Sequence, residues 1–150
     1  MSIKSILKFT SAVGLVVFFL FLIPPIIGLF YDEDVFIYIL SMLALFIMNL
    51  SVFFMIRNDE MVLGMKESII SVNFIWILLG IGGAIPMVLY SSLDFSSAFF
   101  EAISGFTTTG ASVYTDVESL PKSILFHRSL MHWIGGIGII VLGVGLLPLI

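Results

Sequence analysis

Residues 104–112 read Ser104-Gly105-Phe106-Thr107-Thr108-Thr109-Gly110-Ala111-Ser112, and they break the character of the chain around them. On both sides lie long apolar runs with almost nothing polar. Here hydroxyl residues and two glycines sit together, directly after a short amphipathic segment. The fold turns on why so polar and pliable a stretch stands at that place.

The composition sets the solvent. The chain has 150 residues, of which 60% are hydrophobic and only 11% charged. Its mean hydropathy is +1.23. Soluble domains carry about 25% charged residues, so one soluble core is excluded and the bilayer is the expected solvent. Cysteine is absent, which excludes disulfides and thiolate metal sites. The formal net charge of −4 argues against a nucleic-acid partner.

Charges then mark the breaks. None falls between Lys8 and Asp32, between Asp34 and Arg57, between Glu67 and Asp94, or after Arg128. Each gap reaches the roughly 20 residues that cross the hydrocarbon core. Four spans are expected, at about 10–30, 35–56, 68–91 and 129–150. Pro24-Pro25 predicts a kink or early end in the first. Lys4 and Lys8 resemble a signal-peptide n-region, but the apolar run from Phe9 to Phe30 is too long for an h-region and no A-x-A site follows. It reads as a retained helix.

The segment between Asp94 and Arg128 differs. "FSSAFFEAI" (95–103) has helical apolar spacing but is too short to cross. We expect a half-helix over 95–105, an irregular loop over 107–112 and a polar connection over 113–128 before the last span. Irregular backbone at membrane depth persists only where protein buries it or water lines it. Lys4, Lys8, Arg57 and Lys66 fall on one side of alternating spans, with 57–67 as their connection. Asp32, Glu33 and Asp34 fall on the other. The positive-inside rule puts the N-terminus in the cytoplasm and the loop's mouth outside, with Lys122 and Arg128 dissenting.

A half-helix leading into hydroxylated, glycine-bearing backbone is how an ion filter is built. Stacked carbonyls replace the water an ion sheds. Glycine reaches the dihedrals this needs, and threonine adds an oxygen and a stiff branched side chain. The order "TTTGAS" resembles the potassium-channel filter order T-V-G-Y-G. Thr108, Thr109 and Gly110 take its first three positions, while Ala111 and Ser112 replace its tyrosine and second glycine. We expect ion-binding oxygens on Thr108, Thr109, Gly110 and Ala111, with Thr107, Ser112 and Glu101 as support.

"FFEAISGFTTTGAS" (99–112) and "RSLMHWIGGIGIIVL" (128–142), at this spacing, resemble the first pore repeat of the Trk/Ktr/HKT potassium-uptake family, most closely its bacterial TrkH branch. With the span before it, the resemblance covers about half the chain. It implies an all-α membrane protein with two N-terminal transmembrane helices over 1–56. A helix, pore-helix, filter-loop, helix repeat follows over 68–150. It further implies potassium as the transported ion in an inner membrane, a homodimer among membrane lipid, and a cytoplasmic nucleotide-binding regulatory subunit of the TrkA type. No nucleotide motif stands in the chain, and no bound cofactor is expected. Four repeats enclose one pore in that family and one is present, so the chain reads as the N-terminal part of a longer protein. The alternative is a single-repeat subunit that tetramerises.

Single residues admit other readings. Glu101 is either a carboxylate in water or an anchor bonded to backbone donors behind the filter, and the anchor is favoured because ionisable groups at membrane depth are costly. His127, Arg128 and His132 border the last span. Histidines at this spacing do not share a helix face, so no metal site is expected. Arg128 is placed at the membrane interface. Asn49 and Asn73 are expected to bridge helices. Gly80, Gly82, Gly83, Gly135, Gly136, Gly138, Gly143 and Gly145 are expected to allow close helix packing. A rhomboid-like protease would need Ser104 with His132, but Ala102-Ile103-Ser104-Gly105 lacks the first glycine of G-x-S-G and that dyad leaves the threonines unexplained. No enzymatic activity is expected.

Overall fold

The computed structural model describes residues 2–146, with side chains described for 2–138. Among them six helices follow one another: α1 (Ile3–Leu20), α2 (Ile23–Phe30), α3 (Phe36–Ile56), α4 (Met65–Tyr90), α5 (Phe95–Phe106) and α6 (Lys122–Leu146). By length and composition the α1–α2 pair, α3 and α4 are each able to cross a membrane. The expected end of the last span, residues 147–150, lies outside the described residues.

The first span breaks where the prolines require it. Helix α1 ends at Leu20, and Pro24 and Pro25 fall in the first turn of α2. A proline there loses no intrahelical bond, because the first N–H groups of a helix have no partner. The span also begins earlier than expected, at Ile3 rather than about residue 10. Ser2 caps it, accepting from the Ser5 N–H. Lys4 and Lys8 are therefore helical. Their long stems carry the ammonium groups to the next connection, where Lys8 Nζ donates to the carbonyls of Arg57 and Asp59 at 2.7 Å each. Lys4 Nζ lies 2.8 Å from Asp59 Oδ1.

A second correction concerns the connection expected over 113–128. Its last seven residues are the start of α6, which begins at Lys122. Charge placed the boundary at Arg128, but backbone capping places it at Pro121, whose carbonyl accepts from the Leu125 N–H at 2.9 Å.

In lipid, apolar burial gives little driving force, so helices associate through close packing. Gly82 meets this need: a Cβ there would sit 2.2 Å from the Phe18 ring. Gly80 faces Phe99 and Ile103, and Gly83 faces Met131, Phe106 and Ala102. The end of α1 thus reaches the centre of the repeat, with Phe21 6.0 Å from the Phe106 ring and 4.4 Å from His127. Phe18, Phe21, Tyr38, Phe106 and Met131 are fully buried around this point. Among the described residues neither asparagine side chain hydrogen-bonds to another helix, although Asn49 packs against Gly14 of α1. Asn49 and Asn73 each donate to a carbonyl one turn back on their own helix, at Leu45 and Ile69. That bond satisfies the amide donor without a neighbour.

Candidate functional site

Helix α5 is the half-helix. Asp94 caps it, accepting from the Ser96 hydroxyl and from the Ser97 N–H at 3.0 Å. These bonds, that from Ser96 foremost, hold the Asp94 carboxyl well below the usual carboxylate range. Ala98, Glu101, Ala102, Gly105 and Phe106 form its buried stripe, at the three- and four-residue spacing of one helix face.

The helix ends in a specific motif. Thr107 is the C-cap. The Thr108 N–H donates to Gly105 O and the Thr109 N–H to Ser104 O, both at 2.9 Å. These are the two bonds of a Schellman cap, whose left-handed residue is ordinarily glycine. Here that residue is Thr108, at φ +56°. A β-branched residue in this region is an outlier that surrounding structure must hold in place. The side chain of Thr107 contributes, donating to Ile103 O at 2.8 Å and lying 2.8 Å from the Thr109 hydroxyl. The negative end of the helix dipole meets the loop at this cap, which favours a cation there.

The loop then turns back beside its own helix. Gly110 takes φ +78°, with nothing among the described residues within 4 Å of where a Cβ would stand. Ser104 Oγ donates to the Ala111 carbonyl at 2.6 Å, engaging one acceptor direction of that oxygen. Residues 107–113 are exposed. Thr109 and Ala111 are exposed with the rest of the loop, the Thr109 hydroxyl meeting that of Thr107.

Glu101 is the anchor behind this loop. It is 2% exposed. Its carboxylate accepts from the Ser112 hydroxyl at 3.1 Å and from the Val113 N–H at 2.9 Å. Arg128 completes the set, with Nε 2.7 Å from Glu101 Oε1. The Arg128 side chain is 14% exposed and its guanidinium lies over the Tyr114 ring, 5.6 Å from the centroid. The Tyr114 hydroxyl in turn lies 2.8 Å from Ser91 Oγ. Arg128, expected as an interfacial charge, is the counter-ion of a buried carboxylate. A buried Glu101 demands a partner, and Arg128 is the last charge before the long uncharged run. The spacing of 27 residues gave no sign of the pairing.

Helix α6 supports the site from behind. At Gly135 a Cβ would stand 1.9 Å from the Phe106 carbonyl, so only glycine lets this helix touch the end of α5. His127 is buried and its Nε2 lies 3.0 Å from the Gly83 carbonyl. Among the described residues no cluster of His, Cys, Asp or Glu could hold a metal ion. The Ser104 hydroxyl, which a protease would use as its nucleophile, donates to the Ala111 carbonyl, and among the described residues it makes no hydrogen bond to His132.

Comparison with known proteins fits this geometry. The family model for TrkH, described as a cation transport protein, matches residues 35–150. The chain belongs to the TrkH family of cation transport proteins. It is 36% identical over 130 residues to the Trk system potassium uptake protein TrkG of Escherichia coli K12, covering 85% of this chain and 27% of that protein. It is 43% identical over 96 residues to TrkH of the same organism, covering 63% of this chain and 20% of that protein. The fold matches the crystal structure of the potassium transporter TrkH from Vibrio parahaemolyticus with a TM-score of 0.91 at 30% identity, over 99% of this chain and 32% of that one. The chain thus spans about a third or less of these TrkH-family relatives' own length. The all-helical membrane fold and the family expected from the sequence both stand.

Proposed function

We propose that this TrkH-family chain supplies one quarter of a potassium-conducting pore, with residues 107–112 as its share of the filter. Thr108, Thr109, Gly110 and Ala111 offer oxygens to the dehydrating ion. Ala111 does so with its carbonyl already steadied by Ser104. Thr107, Ser112 and Glu101 hold the loop's shape, and the α5 dipole lowers the energy of a cation at its mouth.

The observation that carries this reading is Gly110 at φ +78° in an exposed loop tied at both ends to a buried half-helix. That arrangement orders carbonyls without covering them. Substituting Gly110 with serine in the native gene product and measuring potassium against sodium flux tests it.

The remaining properties are proposed from the resemblance to the family. The protein works in the inner membrane as a homodimer, takes up potassium, binds no cofactor or nucleic acid through this chain, and is gated by a cytoplasmic nucleotide-binding subunit of the TrkA type. Its N-terminus is cytoplasmic. Supporting this, Lys4 and Lys8 meet the Arg57–Asp59 connection at one end of the helices, while Glu33 meets the start of α6 at the other. Residues 1–150 expressed alone are expected to insert but not to restore potassium-limited growth to an uptake-deficient strain. Growth would favour a tetramerising single-repeat subunit.

A further inference from the structure

We propose that Glu33 is a positioning residue for the filter loop: from the turn between α2 and α3, its carboxylate caps the first turn of α6 and so sets where Arg128 meets Glu101. The inference rests on the filter reading of residues 107–112.

Helix α6 begins without a cap of its own. Pro121 occupies the N-cap position, and its side chain has no acceptor. Leu120 and Lys122 offer none either. The carboxylate arrives instead from 89 residues upstream. Glu33 Oε1 accepts from the Lys122 N–H, and Oε2 accepts from the Ser123 N–H at 3.2 Å and the Ser123 hydroxyl at 2.6 Å. The Tyr90 hydroxyl, at the end of α4, donates to the same Oε2 at 3.3 Å. An anion at a helix N-terminus also complements the macrodipole.

The turn that presents Glu33 is itself built for the task. Asp32 takes φ +55°. The Glu33 N–H donates to Gly28 O at 3.0 Å. Gly28 leaves the space, since a Cβ there would meet Glu33 Oε2 at 2.9 Å and Ser123 Cβ at 3.1 Å.

The consequence reaches the loop through α6. Arg128 stands six residues beyond Lys122, about 9 Å along the axis at the helical rise. A first turn that frays or shifts moves the guanidinium against Glu101. Glu101 in turn holds Ser112 and Val113, the far arm of the filter loop. The N-terminal helices, which carry no pore motif, thereby gain a role in filter geometry.

The test measures potassium and sodium flux in the native gene product at matched expression. Glu33→Gln keeps the volume but turns an amide donor toward N–H groups. It is expected to lower the potassium/sodium ratio by up to about fivefold, the shift in the population of correctly docked loops that one lost helix cap allows. Adding Pro121→Asp, which supplies a local cap, is expected to restore the ratio. A merely structural Glu33 would lower the amount of transporter or the maximal rate and leave the ratio alone. An unchanged ratio for Glu33→Gln, with Gly110→Ser lowering it in the same assay, overturns this inference and leaves the filter reading standing. Unchanged ratios for both overturn the two together. Failure of Pro121→Asp to restore the ratio overturns the capping route. Should Glu33→Gln not accumulate, Tyr90→Phe with Ser123→Ala removes two hydroxyl donors and keeps both N–H contacts. That pair is expected to shift the ratio in the same direction by a smaller factor, and no shift overturns the proposal.

Discussion

Replacing Arg128 with methionine is expected to damage the protein more than replacing its partner Glu101 with glutamine. The asymmetry follows from exposure. Glu101 is 2% exposed and the Arg128 side chain 14% exposed. Arg128→Met strands a carboxylate that retains only the Ser112 hydroxyl and the Val113 N–H. Glu101→Gln instead strands a guanidinium that still lies over the Tyr114 ring and reaches some solvent. Breaking a buried pair from one side costs about 3–5 kcal/mol. The two surviving donors on Glu101 place Arg128→Met near the lower end, at about 3 kcal/mol. Glu101→Gln keeps an acceptor for Val113 and is expected to cost about 1–2 kcal/mol. The double variant should be more stable than Arg128→Met alone, because no bare charge remains. Reversible unfolding in mixed micelles, read as a double-mutant cycle, measures all three. Arg128→Met within about 0.5 kcal/mol of the parent would refute the reasoning, as would a double variant less stable than Arg128→Met.

Three further outcomes are expected. Gly135→Ala should destabilise by at least the roughly 1–3 kcal/mol of overpacking. The obstacle is the Phe106 carbonyl at 1.9 Å, which is backbone and cannot rotate away. Gly82→Ala meets the Phe18 ring first, so Phe18→Leu should recover part of its loss, while no single side-chain change should recover Gly135→Ala; the same unfolding assay reads both. In intact cells, cysteines at Ser5 and Asn58 should be shielded from an impermeant thiol reagent and cysteines at Asp32 and Asp116 should react. Labelling at Asn58 but not at Asp116 would reverse the orientation.

The first three spans and the half-helix with its loop are legible in the amino-acid sequence because lipid punishes charge so heavily that charge gaps map onto helices. The same rule misplaces two boundaries. Lys4 and Lys8 lie inside α1, and Lys122 to Arg128 lie inside α6, because a long basic side chain travels to a partner while its backbone stays helical. The half-helix, its C-terminal end and the need for glycine at position 110 follow from local residue types. What stays hidden is long-range. Glu33 with Ser123 and Arg128 with Glu101 each join residues whose proximity depends on how helices cross. Thr108 in the left-handed region is equally hidden, because a run of threonines favours extended backbone and the helix end overrides that preference.

The central claim is that residues 107–112 select ions through ordered backbone carbonyls, and Gly110 tests it most directly. A Cβ at position 110 meets nothing within 4 Å among the described residues, so the first cost of a side chain is the dihedral itself at φ +78°. A strained non-glycine residue costs roughly 1–3 kcal/mol, which the loop relieves by turning the carbonyl and removing one ligand from the ion. Potassium and sodium flux should be measured for Gly110→Ser, Thr109→Val and Ala111→Ser in the native gene product at matched expression. The account predicts a large loss of the potassium/sodium ratio in Gly110→Ser and a much smaller one in the other two. A ratio in Gly110→Ser equal to that of the parent would contradict it.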